Sequence, residues 1–105
     1  MKKEKKLFLD IKSLVSHAAP RSKVILYGSY ARGDQRKGSD VDLLILVDKK
    51  KINSEDEKKI TWPLYGLEFE TGIIISPMVK TKTEWETKYF ITPLYENIKR
   101  EGIEL

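Results

Sequence analysis

The sequence contains no cysteine and a single histidine, His17, which excludes two common kinds of site. Without cysteine there is no disulfide and no thiolate zinc site, and one imidazole cannot form a histidine metal cluster. Any metal ion must therefore be held by oxygen ligands.

A long apolar run is also missing: residues 1–15, MKKEKKLFLDIKSLV, are interrupted by Asp10 and Lys12 and lack the apolar core of a signal peptide. No later segment approaches the length of a membrane span, and we expect a cytoplasmic protein with no membrane contact.

Size and charge narrow the function classes further. The chain has 105 residues, of which 40% are hydrophobic, and we expect one domain over residues 1–105. Its net charge is +4, and two lysine runs, residues 2–6 and 49–51, carry much of the excess. Solvated charged segments explain such runs, but direct nucleic-acid binding and attraction of a polyphosphate ligand both stay open.

Hydrophobic spacing predicts the order of the first elements. Apolar residues at helical spacing predict a helix over residues 7–18, and short apolar runs predict strands over 24–27 and 41–47. A capping-box pattern predicts a short helix over 54–63, which proline ends or bends. Alternating apolar residues then predict a strand over 67–76.

Capping signals predict that the chain continues with one broken helix or two short ones. Thr83 and Glu86 have capping-box spacing, Thr92-Pro93 is typical of a helix start, and Gly102 is typical of a helix end. The order of elements predicts a small α/β (α+β) domain, in which helices cover a mixed sheet mainly on one side.

The segment LYGSYARGDQRKGSDVDLLILVD, residues 26–48, carries the functional signal. Asp40 and Asp42 are two residues apart at the start of a predicted strand, so their carboxylates share a face roughly 7 Å apart along the strand. Magnesium takes one or two protein carboxylates and completes its shell with water and phosphate oxygens. Gly28 lets a phosphate approach backbone N–H groups, and Ser29 adds a hydroxyl donor.

Three cations lie between the two halves of this motif. Arg32, Arg36 and Lys37 are placed to contact the oxygens of a triphosphate. Gly28 and Gly33 have the glycine spacing of a P-loop, but Asp-Gln follows where Lys-Ser/Thr is required. A Walker-type NTPase is therefore disfavoured.

The pattern of Gly28-Ser29, ten intervening residues and Asp40-x-Asp42 opening an apolar strand resembles the signature of the polymerase-β-type nucleotidyltransferase superfamily. The match is to its minimal members, which are often encoded beside a helical toxin partner. The resemblance implies that the Gly-Ser pair holds nucleotide phosphates and that the two aspartates bind two magnesium ions. It also implies a third carboxylate on a neighbouring strand.

The third carboxylate is where this chain departs from the family pattern. The family commonly has aspartate on the later strand, whereas the predicted strand here offers Glu68 and Glu70. We favour Glu70, because it stands next to the apolar run that should form the buried part of the strand. The alternative is that both glutamates face solvent from an edge strand, in which case the metal site is weakened.

By resemblance, the expected activity is transfer of a nucleoside monophosphate, most simply AMP from ATP, to an acceptor hydroxyl with release of pyrophosphate. Asp40, Asp42 and Glu70 would hold two Mg²⁺ ions, and the acceptor hydroxyl could belong to a protein, a small molecule or an RNA end. The alternative is a catalytically weak, antitoxin-like subunit that acts by binding a helical toxin-like partner. Direct nucleic-acid binding is the third hypothesis, and it predicts affinity that falls steeply with salt.

Overall fold

The computed structural model describes residues 2–105, with side chains described from Glu4 onward. The elements in chain order are α1 (Lys2–Ala18), β1 (Lys23–Tyr27), α2 (Ser29–Arg32), β2 (Val41–Val47), α3 (Ser54–Thr71), β3 (Ile75–Thr81), α4 (Lys82–Lys88), α5 (Pro93–Glu101) and β4 (Ile103–Glu104). The strands form one sheet in the order β3-β2-β1-β4. β1 runs antiparallel to β2 and β4, and β3 runs parallel to β2, so the predicted α+β class with a small mixed sheet is confirmed. None of the described helices has the length and apolar character needed to cross a membrane.

The side chains of β2 divide between two apolar clusters, because successive residues of a strand point to opposite faces. On one face, Val41, Leu43, Ile45 and Val47 pack with the long helices α1 and α3. On the other face, Leu44 and Leu46 pack with the short helices α4 and α5, and a pair of aromatic side chains from α4 and α5 packs together there. Residues of β2 with even numbers, Asp42 among them, therefore lie on the face opposite to α3.

The largest difference from the sequence-based prediction concerns α3. The helix does not end near Pro63 but continues to Thr71, so the predicted strand over residues 67–76 is wrong. Ile60, Leu64 and Leu67 are buried at spacings of four and three, which forms one helical face against the sheet. The helix ends at Gly72 in the left-handed conformation that favours glycine, and the strand begins only at Ile75.

The C-terminal half follows the predicted pattern more closely. Thr81 and Glu84 form the capping box of α4, two residues before the predicted pair. Thr92 caps α5, Pro93 is its first residue and Gly102 its C-cap, as predicted. The side chains of Thr81, Glu84 and Thr92 accept hydrogen bonds from backbone N–H groups that have no partner inside the helix. These contacts fix where each short helix begins.

Candidate functional site

The connection from β1 to α2 depends on Gly28. Its backbone has φ 77° and ψ −157°, a combination that is essentially restricted to glycine. Its carbonyl then accepts hydrogen bonds from the N–H groups of Ala31 and Arg32, each at 3.1 Å, which closes the single turn of α2. A Cβ atom added to Gly28 would overlap Oδ2 of Asp42. The glycine therefore allows both the turn and the position of the carboxylate.

The two aspartates of the motif meet at the start of β2. Asp42 lies within the strand, with Tyr27 opposite it on β1 and Ser76 beside it on β3. Asp40 immediately precedes the strand, is exposed, and accepts a hydrogen bond from the Ser76 hydroxyl at 3.0 Å. Two carboxylates and one hydroxyl thus gather at one end of the sheet.

The charge of this carboxylate pair is incompletely balanced. Burial raises the pKa of Asp42, and the negative charge of Asp40 raises it further, while Arg32 opposes the shift. Burial, followed by the charge of Asp42, also raises the pKa of Tyr27. Both shifts indicate that negative charge at this position is unfavourable until a cation approaches.

Asp42→Asn is therefore expected to make the protein more stable at neutral pH. Because folding raises the pKa of Asp42, the folded state holds its proton more tightly, and stability falls as pH rises from about 4 through the raised pKa. Asparagine does not ionise, so the variant avoids this loss of stability at pH 7. The gain in the free energy of unfolding should be less than about 1 kcal/mol, because the carboxylate is partly exposed and screened. Denaturant unfolding should show the gain at pH 7 and its disappearance near pH 3.5. A variant less stable than the wild type at pH 7 would contradict the argument.

Three cations were predicted to contact phosphate, and Arg32 is the one for which the described part of the chain shows ion pairs. Its Nε donates to Asp34 and its Nη1 to Glu101, both at 3.3 Å. The second contact ties α2 to the last helix, α5. Arg36 and Lys37 are exposed in the loop before β2, and their role toward a phosphate stays a prediction.

Glu70, the predicted third carboxylate, does not join the aspartate pair. It is exposed on α3, and α3 packs against the face of the sheet opposite to Asp42. Glu68, the other candidate, accepts a hydrogen bond from the backbone N–H of Ile75 at 2.8 Å and so joins the end of α3 to the start of β3. Within the part of the chain that the structure describes, no group of three or more His, Cys, Asp or Glu side chains is placed to hold a metal. The prediction that Asp40, Asp42 and Glu70 form one metal site is wrong.

Ser76 belongs to the site but was not predicted from the sequence. It stands beside Asp42 on the parallel strand, where the family resemblance implies a carboxylate. The helical spacing of Ile60, Leu64 and Leu67 is the signal that could have found it, because extending the helix moves the next strand to the segment containing Ser76.

Glu101 is also part of the site and was not predicted. Its contact with Arg32 joins positions 69 residues apart, so no local pattern in the sequence signals it. The contact depends on how α5 folds back beside α2.

The donor set fits one divalent cation. Asp40 and Asp42 supply hard oxygen ligands on one face, and magnesium typically takes one or two carboxylates together with water and phosphate oxygens. Burial, followed by the charge of Asp40, raises the pKa of Asp42, and a bound cation would offset the negative charge of both carboxylates. A site for two ions would need further protein ligands, and Glu70 does not supply one.

Comparisons with known proteins point to one protein family. The family model described as "Nucleotidyltransferase domain" matches residues 4–104. Two proteins of Methanocaldococcus jannaschii are similar over most of their length. "Putative protein adenylyltransferase MJ0604" is 45% identical over 103 residues, covering 97% of this chain and 96% of the relative. "Putative protein adenylyltransferase MJ0141" is 36% identical over 97 residues, covering 91% and 88%.

A solved structure described as "Crystal structure of the toxin-antitoxin with AMP-PNP" has the same fold. One of its chains superposes with a TM-score of 0.65 at 18% sequence identity, over 90% of this chain and 68% of that chain. At this identity the likeness concerns the fold.

Proposed function

The chain belongs to the nucleotidyltransferase family, and from this premise we propose that it transfers AMP from ATP to an acceptor hydroxyl and releases pyrophosphate. The observation that carries the proposal is the packing of Gly28 against Asp42. This packing places a backbone turn suited to phosphate beside the carboxylate pair suited to a divalent cation.

In the proposed reaction, the chain mainly positions the nucleotide and balances charge. The turn after Gly28 and the Ser29 hydroxyl would hold phosphate oxygens, Arg32 would offset their negative charge, and Asp40 with Asp42 would hold the cation. The bound cation would supply charge neutralisation for the triphosphate and the leaving group. A bond forms between the acceptor oxygen and the α-phosphorus, the bond to the β-phosphate breaks, and the hydroxyl proton passes to solvent.

A protein hydroxyl, such as that of tyrosine, is the proposed acceptor. The names of the two M. jannaschii relatives support this choice, because both describe transfer of an adenylyl group to protein. The structural neighbour is a toxin–antitoxin pair with AMP-PNP, an ATP analogue, which supports ATP as the nucleotide and a toxin-like protein as the partner. A small molecule or an RNA end as acceptor is an outcome of the test below.

The test is incubation of the protein with ATP labelled at the α-phosphate, with Mg²⁺ and with the product of the neighbouring gene. We expect label on the partner protein, and loss of that label when a chelator removes the cation. ATP labelled at the γ-phosphate is the control and should leave the partner unlabelled, because the γ-phosphate departs in pyrophosphate. Transfer of the γ-label, or transfer unaffected by chelator, would contradict the proposal.

The second candidate function is a catalytically weak, antitoxin-like binding subunit. The observation that favours it is the serine at position 76, where the resemblance implies a carboxylate. On this hypothesis the same incubation gives a stable complex with the partner but no labelled acceptor, whether the reaction contains protein, small molecules or RNA.

A further inference from the structure

The outward side of α3 exposes three aromatic residues in a row. Trp62, Tyr65 and Phe69 are 64%, 46% and 92% exposed, and their spacings of three and four place them on one face of the helix. The buried residues of α3 occupy the opposite face, so this aromatic face is directed away from the sheet. Exposed apolar residues in isolation are ordinary, but a row of large aromatics is typical of the centre of a protein interface.

We propose that two copies of this chain associate through this face, with α3 of one copy packed antiparallel against α3 of the other. A two-fold axis that passes between Tyr65 and Gly66 makes the face complementary to itself. Trp62 and Phe69 lie at equal distances on either side of that axis, so Trp62 of each copy packs against Phe69 of the other.

The centre of the aromatic face allows the two helices to approach closely. Gly66 carries no side chain and lies midway between Trp62 and Phe69 along the helix, at the edge of the face toward α1, and a Cβ atom built on it would meet nothing within 4 Å. Tyr65 lies next to the axis and would contact Tyr65 of the second copy. Bulky residues at the ends and a glycine at the centre suit two helices that cross at this point.

One pair of charges beside the aromatic face is also complementary under this symmetry, whereas Lys58 already lies 5.7 Å from the centre of the Trp62 ring within each chain. Lys59 and Glu70 are eleven positions apart, close to three helical turns, so they flank the face on the same side. This is the side toward α1, where Glu70 also interacts electrostatically with the exposed Lys6 of its own chain. When two helices face each other antiparallel about a two-fold axis, each side meets the same side of its copy. Lys59 of one chain therefore lies beside Glu70 of the other, and the pairing occurs twice in the dimer. This match is an argument for a second copy over an unrelated partner.

The proposed dimer leaves the candidate active site open. Asp42 lies on the face of the sheet opposite to α3, so the second copy does not cover the aspartate pair. The inference is therefore independent of the proposed function, and either can fail without the other.

The first experiment measures mass in solution by analytical ultracentrifugation. Wild-type protein should sediment as a dimer with twice the chain mass of 12.2 kDa. Trp62→Ser and Phe69→Ser should each raise the dissociation constant about 100-fold, as expected for aromatic residues at the centre of an interface. Phe90→Ser is the matched control, because Phe90 is 52% exposed but lies outside α3. Circular dichroism should show that all three variants are folded.

The second experiment tests the register of the two helices. Lys59→Glu and Glu70→Lys should each weaken the dimer about tenfold, because each change places like charges together at both ends. The double variant should recover most of the wild-type affinity. Since the chain has no cysteine, Tyr65→Cys provides an unambiguous cross-link and should form a disulfide dimer on mild oxidation. Glu55→Cys, near the start of α3 and far from the axis, should not.

Three results would overturn the proposal. The first is wild-type protein that stays monomeric at about 100 μM, a concentration at which specific dimers are populated. The second is a charge-swapped double variant as weak as either single variant. The third is an aromatic face that binds a different protein and does not bind its own copy.

Discussion

Asp42→Asn is expected to lower AMP transfer about a thousandfold while the protein stays folded. The substitution keeps the shape of the side chain but removes a negative charge and a cation ligand from the centre of the site. A cation that stabilises the triphosphate contributes several kcal/mol to the transition state, which corresponds to a factor of this size. Steady-state transfer from α-labelled ATP measures the loss, and denaturant unfolding shows that the variant is folded.

The matched control for this variant is Asp48→Asn at the other end of β2. Asp48 follows the last residue of the strand and is half-exposed, with Arg21 at 4.0 Å. Its replacement should leave transfer within about twofold of wild type, because a weak surface ion pair contributes little. If Asp42→Asn loses transfer but still neutralises the partner protein as the wild type does, the effect on the partner is binding and the antitoxin-like hypothesis is correct. If both variants keep transfer, the site is elsewhere.

Gly28→Ala is expected to reduce stability by about 3 kcal/mol and transfer by about 100-fold. The backbone conformation of this residue costs a non-glycine residue about 1–3 kcal/mol, and the added methyl group must displace the Asp42 carboxylate or the turn itself. Because Asp42 would leave its position, the loss of transfer should exceed the loss caused by destabilisation alone. Thermal unfolding and the labelled-ATP assay, both run well below the melting temperature, measure the two effects.

Gly33→Ala separates backbone strain from the overlap with Asp42. Gly33 also has a positive φ, 80°, but a Cβ atom there would meet nothing within 4 Å. Its substitution should cost about 1–2 kcal/mol from strain and leave transfer near the wild-type rate. Equal losses of transfer in the two variants would show that the glycine at position 28 does not act by making room for the carboxylate.

The centre of the candidate site was predictable because it is local. Gly28, Asp40 and Asp42 lie within fifteen consecutive residues, and the period of a strand places both aspartates on one face. The strand over residues 41–47 is an apolar run that is buried almost throughout, so its boundaries were predicted correctly. Spacing in the sequence is sufficient to predict a site when its residues belong to one strand and the turn before it.

The neighbour of Asp42 on β3 was not predictable by the same reasoning, because it depends on the register between two strands. With Phe69 counted as a core residue, apolar residues alternate over 67–76 as they do in a strand. Phe69 is instead directed to solvent from a helix. Pro63 strengthened the error, since proline usually ends a helix, and here the helix continues past it. Because the aromatic face of α3 is exposed and takes no part in the core, its apolar residues obscure the helical spacing of the buried ones in the sequence.

The order of the strands also bears on how the protein behaves at high concentration. β3 and β4 form the two edges of the sheet, where unpaired backbone groups could pair with strands of other molecules. β4 has only two residues, while β3 carries Pro77, which lacks an N–H donor, and Lys80, whose charge opposes stacking. Both edges are therefore poor templates for fibril growth, and concentrated samples should stay free of strand-mediated aggregates.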